Sequence, residues 1–106
     1  MQVQFKYEEL LNLYLGKPIR GKAKFSSAVI RQYQSTVNKL QNAGSITDLR
    51  QRKSLDLHEL KRDLVGKFAV RVNMQYRVIF SFVSEIGEPL GGPLTIIEIE
   101  DLTDYH

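Results

Sequence analysis

The chain has 106 residues, of which 42% are hydrophobic and 25% are charged, a composition typical of one globular domain. It has no cysteine, which excludes disulfide scaffolds, thiolate zinc sites and cysteine nucleophiles. All 15 basic residues lie within residues 1–83, whereas half of the 12 acidic residues lie within residues 84–106. A locally basic surface attracts polyanions, so the basic part predicts such a partner although the net charge is only +3.

No apolar run is long enough to cross a bilayer, and the N-terminal residues lack the apolar stretch of a signal peptide. We therefore expect a cytoplasmic protein with no membrane partner. We also expect a single domain over residues 1–106, because the sequence contains no internal repeat and no linker.

The first half of the chain predicts a short strand followed by helices. Val3 and Phe5 alternate with polar residues, which indicates a strand. An amphipathic segment follows, with an apolar face formed by Leu10, Leu11, Tyr14 and Leu15. Residues 16–24 indicate a cationic loop that contains glycine and proline.

A second helix is predicted after this loop, with Ser26 or Ser27 as its cap and Gly44 as its end. Its apolar positions follow the helical period: Val29, Ile30, Tyr33, Val37 and Leu40. Residues 45–53 predict one more short helix.

Beyond Ser54 the pattern alternates between apolar and polar residues, which predicts strands. A hairpin that turns around Met74 pairs Phe68 with Phe80, Val70 with Val78 and Val72 with Tyr76. Residues 87–93 indicate a second turn, and residues 94–100 a final strand. Helices followed by an antiparallel meander predict an α+β fold, with the helices packed on one face of a small antiparallel sheet.

The hairpin register also places Arg71 directly opposite Arg77. Two guanidinium groups across a strand pair repel each other unless an anion lies over them. The register therefore predicts an anion site. We further expect the acidic residues of the last strand (Glu98, Glu100 and Asp101) to pair with arginines or to keep RNA to one face.

Titratable and cationic residues come together at three places near the predicted sheet: residues 57–63, the arginine pair, and residues 104–106. RNA cleavage without a metal needs a base for the 2′-hydroxyl proton, an acid for the leaving 5′ oxygen, and cations for the phosphorane. Histidine can act as acid or base near neutral pH, and arginine matches phosphate oxygens. These residue types fit that chemistry.

Four motifs occur in order at these places: Leu57-His58-x-Leu60-Lys61, Gly66, the hairpin Arg71-Val72-Asn73-x-x-Tyr76-Arg77-Val78-x-Phe80, and the closing Asp104-Tyr105-His106. In this combination the chain resembles the RelE superfamily of bacterial toxins, and within it the HigB-type toxins, also called plasmid maintenance killer proteins. The likeness covers residues 54–106, and the helical half agrees in pattern only.

The resemblance implies a RelE-like microbial RNase fold and a toxin of a type II toxin–antitoxin system. Such a toxin enters the decoding site of the 70S ribosome and cleaves messenger RNA by 2′-hydroxyl attack, without a metal or other cofactor. A cognate HigA-like helix-turn-helix antitoxin would hold it inactive.

The resemblance also implies roles for particular residues. The matching catalytic positions are His58, Asp104, Tyr105 and His106, and the matching phosphate ligands are Lys61 and Arg77. Arg71 is added from the hairpin register alone. If the substrate lies on the ribosome, the candidate contacts to the ribosomal RNA backbone are Lys22, Lys24, Arg52 and Lys53. Which histidine is the base and which the acid stays open, and Asp104 either transfers a proton or orients another group.

The chain departs from the family pattern at two places. Arg62 stands where family members commonly have glycine after the lysine, and the connection from Ser84 to Pro93 is longer. Two alternative functions remain at this stage. One is a ParE-like toxin that binds gyrase without cutting RNA, and the other is a basic RNA-binding module without catalysis.

Overall fold

A computed structural model of the chain describes residues 1–18, 24–84 and 95–104. The fold is α+β, as predicted. The strands are β1 (Gln2–Phe5), β2 (His58–Glu59), β3 (Lys67–Arg71), β4 (Tyr76–Ser84) and β5 (Ile96–Asp104). The helices are α1 (Glu8–Leu15), α2 (Ser27–Asn42) and α3 (Ile46–Gln51), and short 3-10 turns span Lys53–Leu55 and Arg62–Leu64.

The strands form one sheet in the order β1-β5-β4-β3-β2. Strands β2 to β5 pair antiparallel, whereas β1 runs parallel to β5, with Gln2 opposite Ile96. The predicted antiparallel sheet therefore has one parallel pairing at its edge. Parallel pairing requires a crossover connection, and here almost the whole chain lies between the two strands.

The helices pack on one face of the sheet and bury a single core. Tyr33, Val37 and Leu40 of α2 are fully buried, as are the strand residues Val70, Val78, Phe80, Ile97 and Ile99. The Tyr33 hydroxyl donates to the main-chain oxygen of Leu10 at 2.8 Å, so this buried hydroxyl also joins α2 to α1.

The predicted apolar face of α1 is wrong in part. Leu10 and Leu13 are the buried residues of this helix, whereas Leu11 and Leu15 are 36% and 52% exposed. Residues three apart lie on the same helix face, and this face meets α2. Gly16, with φ of 71°, ends α1 as predicted.

The other predicted helices are confirmed, with small shifts at their ends. Ser26 is the cap of α2, since its hydroxyl accepts a hydrogen bond from the Val29 amide at 3.2 Å. The helix ends at Asn42 and its C-cap is Ala43, one residue before the predicted Gly44. Ser45 caps α3 in the same way through the amide of Asp48.

The hairpin register is confirmed residue by residue, from Lys67 opposite Ser81 to Arg71 opposite Arg77. Asn73 builds the turn, because its side-chain oxygen accepts from the amides of Gln75 and Tyr76 at 2.8 and 2.7 Å.

The short edge strand β2 was not predicted, and β5 extends four residues beyond the predicted final strand, to Asp104. The predicted turn at residues 87–93 lies outside the described residues. Within the described parts of the chain, no helix combines the length and the apolarity needed to span a bilayer.

Candidate functional site

The face of the sheet opposite the helices carries the cationic residues. Side chains alternate between the two faces of a strand, so Arg71 and Arg77 point away from the core residues Val70 and Val78. His58 pairs with Ala69, which lies two residues before Arg71 on β3. This places His58 on the same outer face as Arg71. Three sequence-predicted site residues therefore share one surface.

The anion that the facing arginines require is the chain's own Asp56. Its Oδ2 atom accepts a hydrogen bond from the Nη2 atom of Arg71 and another from the Nη2 atom of Arg77, each at 3.0 Å. The Nη1 atom of Arg77 also donates to the main-chain oxygen of Asp56 at 3.3 Å. An anion does lie over the arginine pair, as predicted, but Asp56 was not predicted to supply it.

The second carboxylate oxygen of Asp56 lies 3.2 Å from the Nε2 atom of His58. The hydrogen bond from Arg77 lowers the pKa of Asp56 most strongly, and burial opposes this effect. The hydrogen bond from His58 lowers the pKa further, and the net result lies below the ordinary value. Asp56 is therefore an anion near neutral pH, and it joins the imidazole to both guanidinium groups. We call Asp56, His58, Arg71 and Arg77 the outer-face cluster.

The local backbone explains the position of Asp56. The 3-10 turn Lys53–Leu55 is anchored by the fully buried Leu55, and Asp56 follows it in the left-handed conformation, with φ of 46° and ψ of 57°. Aspartate tolerates this conformation better than most residues. No periodic pattern in the sequence signals this contact, because the left-handed residue interrupts the alternation of an extended segment.

Asp104 is the last residue of β5, and its neighbour Thr103 lies opposite Arg77. The register pairs Asp104 with Tyr76, and its carboxylate accepts a hydrogen bond from the Nε2 atom of Gln75 at 2.9 Å. Asp104 therefore lies at the cluster's end of the sheet. Tyr105 and His106, the next two predicted catalytic residues, lie outside the described residues.

Lys61 follows β2, and its side chain is exposed, without an ion pair to another described residue. The next residue, Arg62, has φ of 61°. Glycine enters this left-handed region without strain, whereas here an arginine occupies it.

Three of the four predicted ribosomal RNA contacts lie within the described residues, and they lie apart from the outer-face cluster. Lys53 is exposed, and the Nζ atom of Lys24 lies 5.7 Å from the centre of the Phe25 ring. Arg52 forms an ion pair with Asp48 at 3.4 Å. Lys22 lies outside the described residues.

A cavity of about 480 Å³ lies on the outer face of the sheet, and none of the four cluster residues lines it. Thr103, opposite Arg77, lines it, and Leu60, Leu64 and Ile79 give it apolar walls. The exposed Tyr7 lies at its rim. The cavity therefore combines a stacking surface with a polar edge beside the arginines.

The acidic residues of β5 pair with lysine and glutamine. Glu100 accepts hydrogen bonds from Lys67 at 2.9 Å and Lys6 at 3.4 Å, and Glu98 accepts one from Gln4 at 2.8 Å. The expected pairing with arginines is therefore wrong for these two residues, since β5 lies between β1 and β4 and Asp56 holds the two hairpin arginines.

Within the part of the chain that the structure describes, no three histidine or acidic side chains converge in an arrangement that could hold a metal ion.

Two solved structures share this fold. The YoeB/ParE toxin from Agrobacterium tumefaciens aligns over 100% of both chains with a TM-score of 0.55 and 10% identity. The YoeB-YefM complex from Staphylococcus aureus aligns over 100% of this chain and 97% of that chain, with a TM-score of 0.54 and 13% identity. At these identities the likeness shows the fold alone. None of the curated proteins matches the chain.

The fold is thus one that toxins of toxin–antitoxin systems adopt. The family model described as "RelE-like toxin of type II toxin-antitoxin system HigB" matches residues 3–88. The chain therefore belongs to the HigB-like toxins, and the resemblance found in its sequence is confirmed. Toxins of this family act together with an antitoxin.

Proposed function

We propose that this toxin is a ribosome-dependent endoribonuclease that cleaves messenger RNA by metal-independent acid/base catalysis. The observation that carries the proposal is the outer-face cluster, in which one imidazole and two guanidinium groups converge at the end of the sheet where β5 reaches Asp104. These groups match the needs of 2′-hydroxyl attack on a phosphodiester.

In this mechanism the 2′-hydroxyl loses its proton to a base, and its oxygen attacks the adjacent phosphorus. The bond from phosphorus to the 5′ oxygen breaks, and an acid protonates that oxygen. His58 and His106 serve as the acid and the base, and Asp104 transfers a proton or orients one of them. Arg71, Arg77 and Lys61 stabilise the charge on the phosphate. Tyr105 positions the nucleotide. The products are a 2′,3′-cyclic phosphate and a 5′-hydroxyl.

The cavity beside Arg77 supports this reading, because it offers room for a nucleotide next to the phosphate. Tyr7 is 56% exposed at its rim, where a base can stack on the ring. Base–aromatic stacking contributes about 1 to 3 kcal/mol per base and tolerates any sequence. Exposed cations away from the cluster, such as Lys24 and Lys53, would add salt-dependent contacts to ribosomal RNA, as would Lys22 and Arg52.

The partners follow from this proposal. The toxin acts in the bacterial cytoplasm, where messenger RNA is held on the 70S ribosome. A cognate HigA-like helix-turn-helix antitoxin neutralises it.

The test is inducible expression, followed by mapping of transcript 5′ ends with translation running and with translation blocked. We expect growth arrest and new 5′ ends that appear only during translation. Arg77→Ala and His106→Ala should lose both effects. The matched control is Arg31→Ala, which removes an exposed arginine from α2, on the other side of the sheet, and should stay toxic.

Four results would contradict the proposal. The wild type could fail to arrest growth, or the two site variants could still cut transcripts. DNA damage with intact transcripts would indicate a gyrase-directed toxin instead. RNA binding without any cyclic phosphate product would indicate a non-catalytic module.

A further inference from the structure

Asp56 contacts each of the other three members of the outer-face cluster. Its Oδ2 atom binds both arginines at 3.0 Å, and its Oδ1 atom lies 3.2 Å from the Nε2 atom of His58. Because both carboxylate oxygens are used, a change at Asp56 alters the imidazole and the guanidinium pair together.

The contact with Asp56 favours one hydrogen-bonding state of the His58 ring. An ionised carboxylate can only accept hydrogen bonds, so the Nε2 atom, 3.2 Å from Oδ1, is the nitrogen placed to carry the proton. In a neutral imidazole the other nitrogen is then the acceptor. Nδ1 is therefore the nitrogen of His58 that can take up a proton from a substrate.

Charged residues surround His58 on the outer face. Asp56 lies on the loop before β2, and β3 contributes Lys67 and Arg71 on either side of Ala69, the partner of His58. Arg77 lies behind Arg71 on β4. Lys67 is bound to Glu100, and the Oδ1 atom of Asp56 lies 3.2 Å from the Nε2 atom of His58.

The contact with the arginines has a separate effect. Without a shared anion, two facing guanidinium groups would move apart. The Oδ2 atom of Asp56 accepts a hydrogen bond from the Nη2 atom of each arginine, and the side chain of Arg77 is only 14% exposed. The pair is thus pre-arranged to present two cations to one phosphate.

We propose that Asp56 is a positioning residue of the cleavage site: it keeps the proton of His58 on Nε2, so that Nδ1 accepts the 2′-hydroxyl proton, and it holds Arg71 and Arg77 together over one phosphate. This inference rests on the proposed RNA cleavage and assigns His58 the role of base. The proton moves from the 2′-oxygen to Nδ1 as the oxygen–phosphorus bond forms, and a separate acid protonates the leaving 5′ oxygen.

The first test needs no activity. ¹⁵N chemical shifts of the imidazole nitrogens, measured on the full chain without RNA at a pH of about 8, report which nitrogen is protonated. The chain has two histidines, and His58→Gln identifies the signals of His58. We expect the proton on Nε2 in the wild type and a mixture of tautomers in Asp56→Asn. A wild-type proton on Nδ1 would overturn the proposal, whether or not the protein cleaves RNA.

The second test measures single-turnover cleavage on 70S ribosomes programmed with a short messenger RNA. Asp56→Asn should lower the cleavage rate by about 10- to 100-fold, part of the usual contribution of a general base, while the concentration for half-maximal rate changes less than about threefold. The matched control is Asp48→Asn, which removes another arginine-bound carboxylate, on α3, and should keep the wild-type rate.

Two results of the second test would overturn the proposal. An unchanged rate in Asp56→Asn would make the carboxylate structural only. A higher rate with tighter substrate binding would show that Asp56 competes with the substrate phosphate. Inactivity of the wild type, by contrast, would contradict the proposed function and leave the tautomer test in force.

Discussion

Arg77 binds Asp56 at two points, since its Nη2 atom donates to the carboxylate at 3.0 Å and its Nη1 atom donates to the main-chain oxygen at 3.3 Å. Arg71, directly opposite, makes one hydrogen bond to the same carboxylate. The two arginines of the pair are therefore unequal, and Arg77 connects the central strand β4 to the loop before β2.

This inequality predicts different effects on stability. Arg77→Ala should lower the free energy of unfolding more than Arg71→Ala, because the Arg77 side chain is 14% exposed and that of Arg71 is 37% exposed. Urea denaturation of the two variants, followed by circular dichroism, checks the order. Equal losses, or a larger loss for Arg71→Ala, would contradict it.

Replacing Arg62 with glycine should leave the stability of the protein unchanged or raise it. With φ of 61°, Arg62→Gly relieves strain of about 1 kcal/mol, which offsets the greater flexibility of glycine in the unfolded chain. The same change at Arg31, inside α2, should cost about 1 kcal/mol. Thermal denaturation compares the two. A similar loss at both positions would show that the left-handed conformation carries no strain.

Removing the hydroxyl of Ser26 should remove the N-terminal cap of α2. Its hydroxyl accepts from the Val29 amide, so Ser26→Ala should destabilise the protein by about 1 kcal/mol. Ser27→Ala, the next position and the first helical residue, is the control and should be nearly neutral. Chemical denaturation of both variants separates them, and a larger effect at Ser27 would contradict this assignment of the cap.

Glu100 should make the stability of the folded protein depend on pH. Burial raises the pKa of Glu100. Hydrogen bonds from Lys67 and Ser81, together with the charge of Lys67, outweigh this effect, so the net pKa lies below the ordinary 4.5. A carboxyl with a lowered folded-state pKa stabilises the protein above its unfolded pKa, and this stability is lost as the pH falls through the folded value.

Glu100→Gln should therefore be less stable than the wild type near neutral pH, and the difference should shrink on acidification through the ordinary 4.5. Denaturation midpoints over that pH range measure it. Glu9→Gln, which changes an exposed carboxyl on α1, is the control and should differ less from the wild type near neutral pH than Glu100→Gln does. A difference that persists in acid would contradict the assignment to Glu100.

The sequence predicted the hairpin well because its information is local. Alternation along β3 and β4 leaves one register that buries Phe68 with Phe80, and the same register sets Arg71 against Arg77. The requirement for an anion over the pair followed from charge repulsion alone.

The same reasoning failed where the answer depends on distant parts of the chain. Asp56 reaches the arginines only because it adopts a left-handed conformation after the buried Leu55, which no periodic pattern reveals. The parallel pairing of β1 with β5 joins residues as much as 94 positions apart, as in the hydrogen bond from Gln4 to Glu98. The buried face of α1 depends on α2, and its own leucines are equally apolar.

The position of β5 between β1 and β4 has a consequence for the order of synthesis. Strand β1 is translated before the other strands, but its neighbour in the sheet is translated after all of them. A nascent chain therefore cannot close its sheet, nor bring Thr103 beside Arg77, until β5 has left the ribosome. The sheet therefore stays incomplete until the last of its strands has been translated.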